Sequence, residues 1–323
     1  MTDVVTRSHL IAPGAAGLVC HASTIAETAR GLVCAFFAGS DEGASDTAIW
    51  SARDDGDGWS APAPVVRGAA PDGTPLPCWN PVLHHAGDDQ LLLFYKIGTD
   101  CAHWRGMVIR SRDGGATWSE PRTLPDGIIG PDKNKPVVLN DGTLLCPSST
   151  EHDGWRIHLE RVVDDGRHWQ RGPDLNDAQT IAAIQPTLIP HRDSRLQLLC
   201  RTQQDYIAES WSDDHGINWS PLVLTPLPNP CSGIDATALG DGRLVLVYNH
   251  THRRPDTWRP RTPLNVAVSN DGCVWHPAAV LESSPGEYSY PAVIQGRDDD
   301  IHITYTWRRQ GIRHVVLDPA RLT

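Results

Sequence analysis

Apolar residues fall in short runs rather than at helical spacing. Leu32–Phe37, Gln90–Tyr95, Met107–Ile109, Leu196–Leu199, Leu244–Tyr248 and His302–Tyr305 carry the pattern. Runs of this length, rich in β-branched and aromatic residues, signal strands. Between them the chain is dense in turn formers, with 28 Gly and 26 Pro. These residues punctuate elements instead of filling them. The pattern predicts an all-β protein.

A repeat is superimposed on the strands. An Asp is followed two positions on by Gly and three further by Trp, as in Asp113-Gly114-Gly115-Ala116-Thr117-Trp118 and Asp214-His215-Gly216-Ile217-Asn218-Trp219. Further copies start at Asp54 and Asp164, and a copy one residue shorter starts at Asp271. Ser stands two residues earlier at Ser111, Ser212 and Ser269. Successive Asp positions are 59, 51, 50 and 57 residues apart. Asp and Ser hydrogen-bond local amides and close a turn. Gly permits the positive φ of a tight hairpin, and Trp packs beneath it. This unit is a folding staple, remote from chemistry.

A second repeat runs half a period out of phase. A polar residue precedes Pro or Ala and an apolar run in Asn80-Pro81-Val82-Leu83, Lys135-Pro136-Val137-Val138, Gln185-Pro186-Thr187-Leu188, Asp235-Ala236-Thr237-Ala238 and Tyr290-Pro291-Ala292-Val293. Cys20-His21-Ala22-Ser23 resembles a sixth copy. Units of about 50 residues with several strands each match propeller blades. The expected architecture is therefore a six-bladed β-propeller in one domain, 1–323. Pro suits the first residue of an innermost strand, where no ladder donor is needed. The polar residues before it then converge on the axis: His21, Asn80, Lys133 to Lys135, Gln185, Ser232 to Asp235, and Glu287 to Tyr290.

Composition limits the ligand. With 28 Lys+Arg against 39 Asp+Glu the formal net charge is −11, which disfavours nucleic acid and anionic membrane surfaces. The apolar runs are far too short to span a bilayer. The start of the chain shows no secretion signal, which points to a cytoplasmic protein with its eight Cys reduced. No spacing suggests a metal or cofactor site. The axial set, with Lys133 and Lys135 and with Lys96 nearby in the sequence of the second repeat, is nonetheless cationic. A local basic cluster in an acidic protein predicts a small anionic ligand or an oligosaccharide that carries one.

Ser-x-Asp-x-Gly-x-x-Trp motifs in a six-fold pattern resemble the Asp-boxes of the sialidase (neuraminidase) superfamily. The likeness covers nearly the whole chain and is strongest to the bacterial branch with BNR repeats. Glu287-Tyr288-Ser289-Tyr290-Pro291-Ala292-Val293-Ile294 resembles the family's Tyr-Ser segment. The resemblance implies a Tyr nucleophile, here Tyr288, because a neutral phenol is not repelled by an anionic sugar. It implies an acid/base at Asp46, with Asp41 and Glu42 as neighbours. It places Arg201 and Arg261 in a carboxylate clamp, since guanidinium matches carboxylate bidentately. His21 stands where the first clamp Arg belongs. The family's polarising Glu has no match in the fourth repeat, which holds Gln185. Glu287 or Asp235 could substitute, although a residue adjacent to Tyr288 in a regular strand points to the other face.

The expectation is a sialidase-like glycoside hydrolase, an exo-glycosidase on a terminal acidic sugar. Tyr288, Asp46, Glu287 and Asp235 are its candidate catalytic residues. His21, Asn80, Lys133, Lys135, Gln185, Arg201, Arg261 and Tyr290 are the candidate substrate ligands. Two alternatives remain: a lyase on uronate-containing saccharides, towards which His21 and the missing Glu move the balance, and a non-catalytic glycan-binding propeller.

Overall fold

The computed structural model describes residues 4–12, 17–163, 166, 168–253 and 260–322. Six antiparallel sheets form the six blades of a β-propeller. Blade 1 runs outward through Val19–Thr28, Gly31–Gly39, Ala48–Asp54 and Ala63–Ala69, with Pro75–Leu76 added as a fifth strand. Blades 2 to 5 have four strands, with innermost strands Cys78–His85, Val137–Val138, Ala183–Pro190 and Asp235–Ala238. Blade 6 takes Tyr288–Gln295, Ile301–Trp307 and Gly311–Leu317, and the N-terminal Val5–Ile11 completes it as the outermost strand. Val5 lies opposite Leu317 and Ile11 opposite Ile312, so the first strand closes the ring on the last.

The ring has no single core. Six apolar clusters sit at six blade junctions. Phe37 and Ile49 of blade 1 pack with Leu93 and Tyr95 of blade 2, and Tyr288 and Val293 of blade 6 pack with Val247 and Val266 of blade 5. At the closing junction Ile11 and Ile312 meet Phe36 and Cys34 of blade 1. Each strand face buries apolar surface against the next blade, which explains why the strands read as short, nearly continuous apolar runs.

The Asp-box turns join third to fourth strands, on the face opposite the starts of the innermost strands. Ser111 Oγ donates to Asp113 Oδ1 at 2.8 Å, and the amides of Gly115 and Thr117 bind Ser111 Oγ and Asp113 Oδ1. Ser212–Asp214 and Ser269–Asp271 repeat the arrangement. Trp118 and Trp219 pack at junctions between blades, away from the axis. In the third-blade copy Trp169 caps Gly166; Asp164, Asp165 and Arg167 lie outside the described residues.

The closing seam also carries a polar chain. The indole N–H of Trp59 can only donate, so Nδ1 of His314, at 3.0 Å, accepts. The neutral His314 ring then donates from Nε2 to Nδ1 of His302 at 3.2 Å, and His302 Nε2 faces Asp298. His9 also stacks on His314. Burial, with His302 the next contributor, pushes His314 down to about 3.

Candidate functional site

One backbone irregularity builds the axial end of four blades. The pairing of the innermost strand slips between His21 and Thr24, Trp79 and Val82, Ile184 and Thr187, and Ser289 and Ala292. At each slip a non-glycine residue has positive φ: Ala22 at 55°, Asn80 at 36°, Gln185 at 55° and Tyr290 at 52°. These are β-bulges, in which one extra residue breaks the alternation of faces. Non-glycine residues in this region cost energy and persist where the surroundings hold them. The copies align the bulge on Ala22, so His21 stands one residue earlier than its sequence counterparts.

The bulge separates the two tyrosines. Tyr288 is buried in the cluster between blades 5 and 6, and its hydroxyl accepts from Arg308 Nε at 3.0 Å. Tyr290 turns to the axis and is half-buried there. Arg201 Nη1 donates to its hydroxyl at 2.8 Å, and Gln185 Nε2 lies 3.4 Å from it. The ring of His21 packs on that of Tyr290, with centroids 4.2 Å apart. Tyr288 is therefore not part of the axial constellation in which Tyr290 is central.

Around Tyr290 the charge is positive. Arg201, from the second strand of blade 4, is 3% exposed. It also donates to Gln185 Oε1 at 3.0 Å and lies under Trp155, 5.2 Å from the ring centroid. Arg261, from the loop after the second strand of blade 5, has its pKa lowered to about 10 by burial and then by Arg201. Arg201 Nε and Arg261 Nη1 are buried without a hydrogen-bond partner among the described residues. Arg309, from the last hairpin of blade 6, pairs with Glu287 at 2.8 Å and Glu42 at 2.6 Å, and its carbonyl accepts from Cys20 N. It brings a guanidinium beside His21, from a blade whose sequence signals no axial Arg. His21 bonds Thr306 Oγ1 through Nδ1 at 2.8 Å. Burial first, then Arg309, Arg261, Arg201 and Lys133, push its pKa well below the ordinary range. It is a neutral imidazole, not the cationic clamp member its position suggested.

The lysines divide. Burial lowers Lys133 to about 7, and its ammonium faces the carbonyls of Ile234 and Pro291 and Asn134 Oδ1, 6.0 Å from the Tyr290 ring centroid. Lys96, likewise lowered by burial to about 8, is held on the Pro131 carbonyl. Lys135 is bound by Asp235 at 2.9 Å. Asp235 also accepts from Thr187 Oγ1 and the amides of Ala236 and Val293, so it ties blades 3, 4, 5 and 6 together. Its oxygens are fully used by this cross-link. Asn80 donates to Asp132, which also receives Ser149 Oγ.

The candidate carboxylates are bound to other partners. Asp46 is exposed on the rim loop, where it accepts from Ser40 N and Ser40 Oγ. Asp41 caps the amide of Glu42. Glu287 is engaged by Arg309 and Ser289 Oγ. No carboxylate bonds the Tyr290 hydroxyl among the described residues. In the loop after the second strand of blade 5, Arg253 meets Asp205 of blade 4; residues 254–259 lie outside the described residues.

A family model described as a BNR repeat-like domain matches residues 30–303. Among solved structures, a Dyadobacter fermentans protein of unknown function is similar at TM-score 0.80 and 16% identity, covering 98% of this chain and 100% of that one. The intramolecular trans-sialidase from Ruminococcus gnavus gives 0.78 at 13% identity, over 100% and 99% of the two chains. The NanB sialidase from Streptococcus pneumoniae gives 0.76 at 12% identity, over 100% and 72%. At such identities the likeness concerns the fold.

Proposed function

From the premise that this chain belongs to the BNR repeat-like family of the sialidase superfamily, we propose that it is a carbohydrate-active enzyme whose axial mouth takes an acidic sugar. The substrate is a uronate-containing saccharide, and Tyr290 is the group that exchanges protons with it. Arg201 and Arg261 hold the sugar carboxylate through the N–H groups that have no partner among the described residues. The observation that carries this reading is the 2.8 Å contact between Arg201 and the Tyr290 hydroxyl, to which no carboxylate hydrogen-bonds among the described residues.

That pairing favours elimination over retaining hydrolysis. A Tyr nucleophile in hydrolysis needs a base to take its proton as it attacks carbon. In elimination a proton leaves C5 of the uronate, the C4–O bond breaks, a C4–C5 double bond forms, and the departing oxygen gains a proton. One phenolic oxygen that takes the first proton as phenolate and returns it to the departing oxygen balances the step. The guanidinium groups stabilise the charge that builds on the carboxylate as the C5 proton leaves.

Hydrolysis of a terminal acidic sugar is the second reading. Glu287 at the mouth, the rim carboxylates Asp46 and Glu42, and the sialidase likeness favour it. Incubation with sialosides and uronate oligosaccharides, followed by mass spectrometry, separates the cases. Summed products equal in mass to the substrate, with the ultraviolet absorbance of an unsaturated uronate, are expected. A gain of one water sinks elimination, and no turnover with retained binding leaves a glycan-binding propeller.

A further inference from the structure

Three arginine nitrogens are buried without a hydrogen-bond partner among the described residues: Arg201 Nε, Arg261 Nη1 and Arg313 Nε. The first two face the axial mouth. The third lies in a separate cleft between the outer strand of blade 5 and the facing sheet of blade 6. Tyr288, Tyr305, Trp307, Arg308, Arg313 and Glu282 line it, and its volume is about 240 Å³. Water in the liquid occupies ~30 Å³ per molecule, so the cleft holds something larger than a bare ion.

The charges do not cancel. Arg308 and Arg313 both point into the cleft, and neither forms an ion pair with a carboxylate among the described residues. Among the described residues the Arg313 side chain reaches only Ser8 Oγ, at 3.4 Å, and that of Arg308 only the Tyr288 hydroxyl, at 3.0 Å. Both guanidinium groups lie near the Trp307 ring, 4.8 and 5.0 Å from its centroid. Stacking of this kind fixes the planar fork and leaves its edge N–H groups free for an oxyanion. Glu282, the one carboxylate lining the cleft among the described residues, accepts from Tyr305 Oη at 2.9 Å and is turned to a neutral donor. The Tyr288 hydroxyl accepts from Arg308, so its own proton remains to be given.

We propose that this cleft is a second, non-catalytic binding site for a sugar unit bearing a carboxylate or sulfate. Arg308, Arg313 and the Tyr288 hydroxyl take the oxyanion, and the aromatic walls take the ring. The site is independent of the chemistry at the mouth. It gives the reading Tyr288 lacks there: its phenol belongs to a different ligand. It also places an anionic recognition point at the edge of the mouth face, where a second acidic unit of a long chain would lie.

The test is calorimetric titration of the full chain with glucuronate, glucose 6-sulfate, glucose and inorganic sulfate. The parent, Arg201→Ala, Arg313→Met and Arg308→Gln are compared, with Arg313→Met and Arg308→Gln also made in the Arg201→Ala background. The acidic sugars are expected to bind Arg201→Ala with an affinity that falls about tenfold on adding Arg313→Met, since charged hydrogen bonds are lost. Arg308 is exposed, so Arg308→Gln reports even if Arg313→Met does not fold. Unchanged affinity in both variants overturns the proposal. So does inorganic sulfate binding as well as the acidic sugars, which would make the cleft an ion site without sugar recognition.

Discussion

Two tyrosines separated by one serine illustrate how far a side chain's fate depends on its backbone. Tyr290→Phe removes one oxygen and keeps the ring on His21. Turnover is expected to fall by about two orders of magnitude or more, with little change in melting temperature. Tyr288→Phe is expected to change turnover less than tenfold. Steady-state kinetics on the best saccharide decide, and the reverse ranking would return the reacting role to Tyr288. The sequence displayed both phenols, but strict alternation puts 288 and 290 on one face. The bulge at Tyr290, invisible to a period-two reading, is what parts them. Arg201 and Arg261 were legible through the resemblance, which places both in a carboxylate clamp. Arg309 was not, because it lies in a hairpin between outer strands and comes to the axis only through ring closure. His21 was seen, but its neutrality was not, since that follows from burial among four cations.

At the scale of the element, the Asp-box shows what a repeated motif can reveal. Its polar atoms serve the turn, and its Trp serves the blade junction. Trp219 caps Gly216 and packs with the cluster shared by blades 3 and 4. Trp219→Ala is expected to cost about 2–3 kcal/mol, below a fully buried Trp because the ring is half-exposed. Urea unfolding measures it, and kcat of the folded fraction should be unchanged. A large loss of kcat at constant stability would connect this face to the site. The staple was fully legible because all its hydrogen bonds lie within a few residues. The innermost strands were legible as elements but not as surfaces. Asp235 reads as an available carboxylate in sequence, yet it is consumed by Lys135, Thr187 and Val293 from three other blades.

For the whole molecule, stability is concentrated in junctions, and the closing junction carries a chain of histidines. His314 has a folded pKa of about 3, against 6.5 for an unperturbed histidine. Between those values the unfolded chain binds a proton that the folded chain refuses. Its contribution is complete above about 6.5 and is lost as pH falls towards 3. The slope due to this group approaches ~1.4 kcal/mol per pH unit inside that window. His314→Asn, which keeps an acceptor for Trp59, should flatten the decline of urea midpoint between about pH 6 and about pH 4 relative to the parent. Parallel curves would show that the seam histidines do not govern acid sensitivity.

The closure by Val5–Ile11 has a consequence in time rather than in space. A ribosome makes this strand before blade 1 and its partner Gly311–Leu317 after blade 5. Blades 1 to 5 can form in order of synthesis, but the first strand waits through all five with its backbone groups unpaired. Such an edge is a ready template for association with other chains. Stalled nascent chains ending before residue 311 should therefore expose Val5–Ile11 to protease, and chains long enough to release the final hairpin should protect it. Protection of the shorter chains would mean that another blade shelters the strand while it waits.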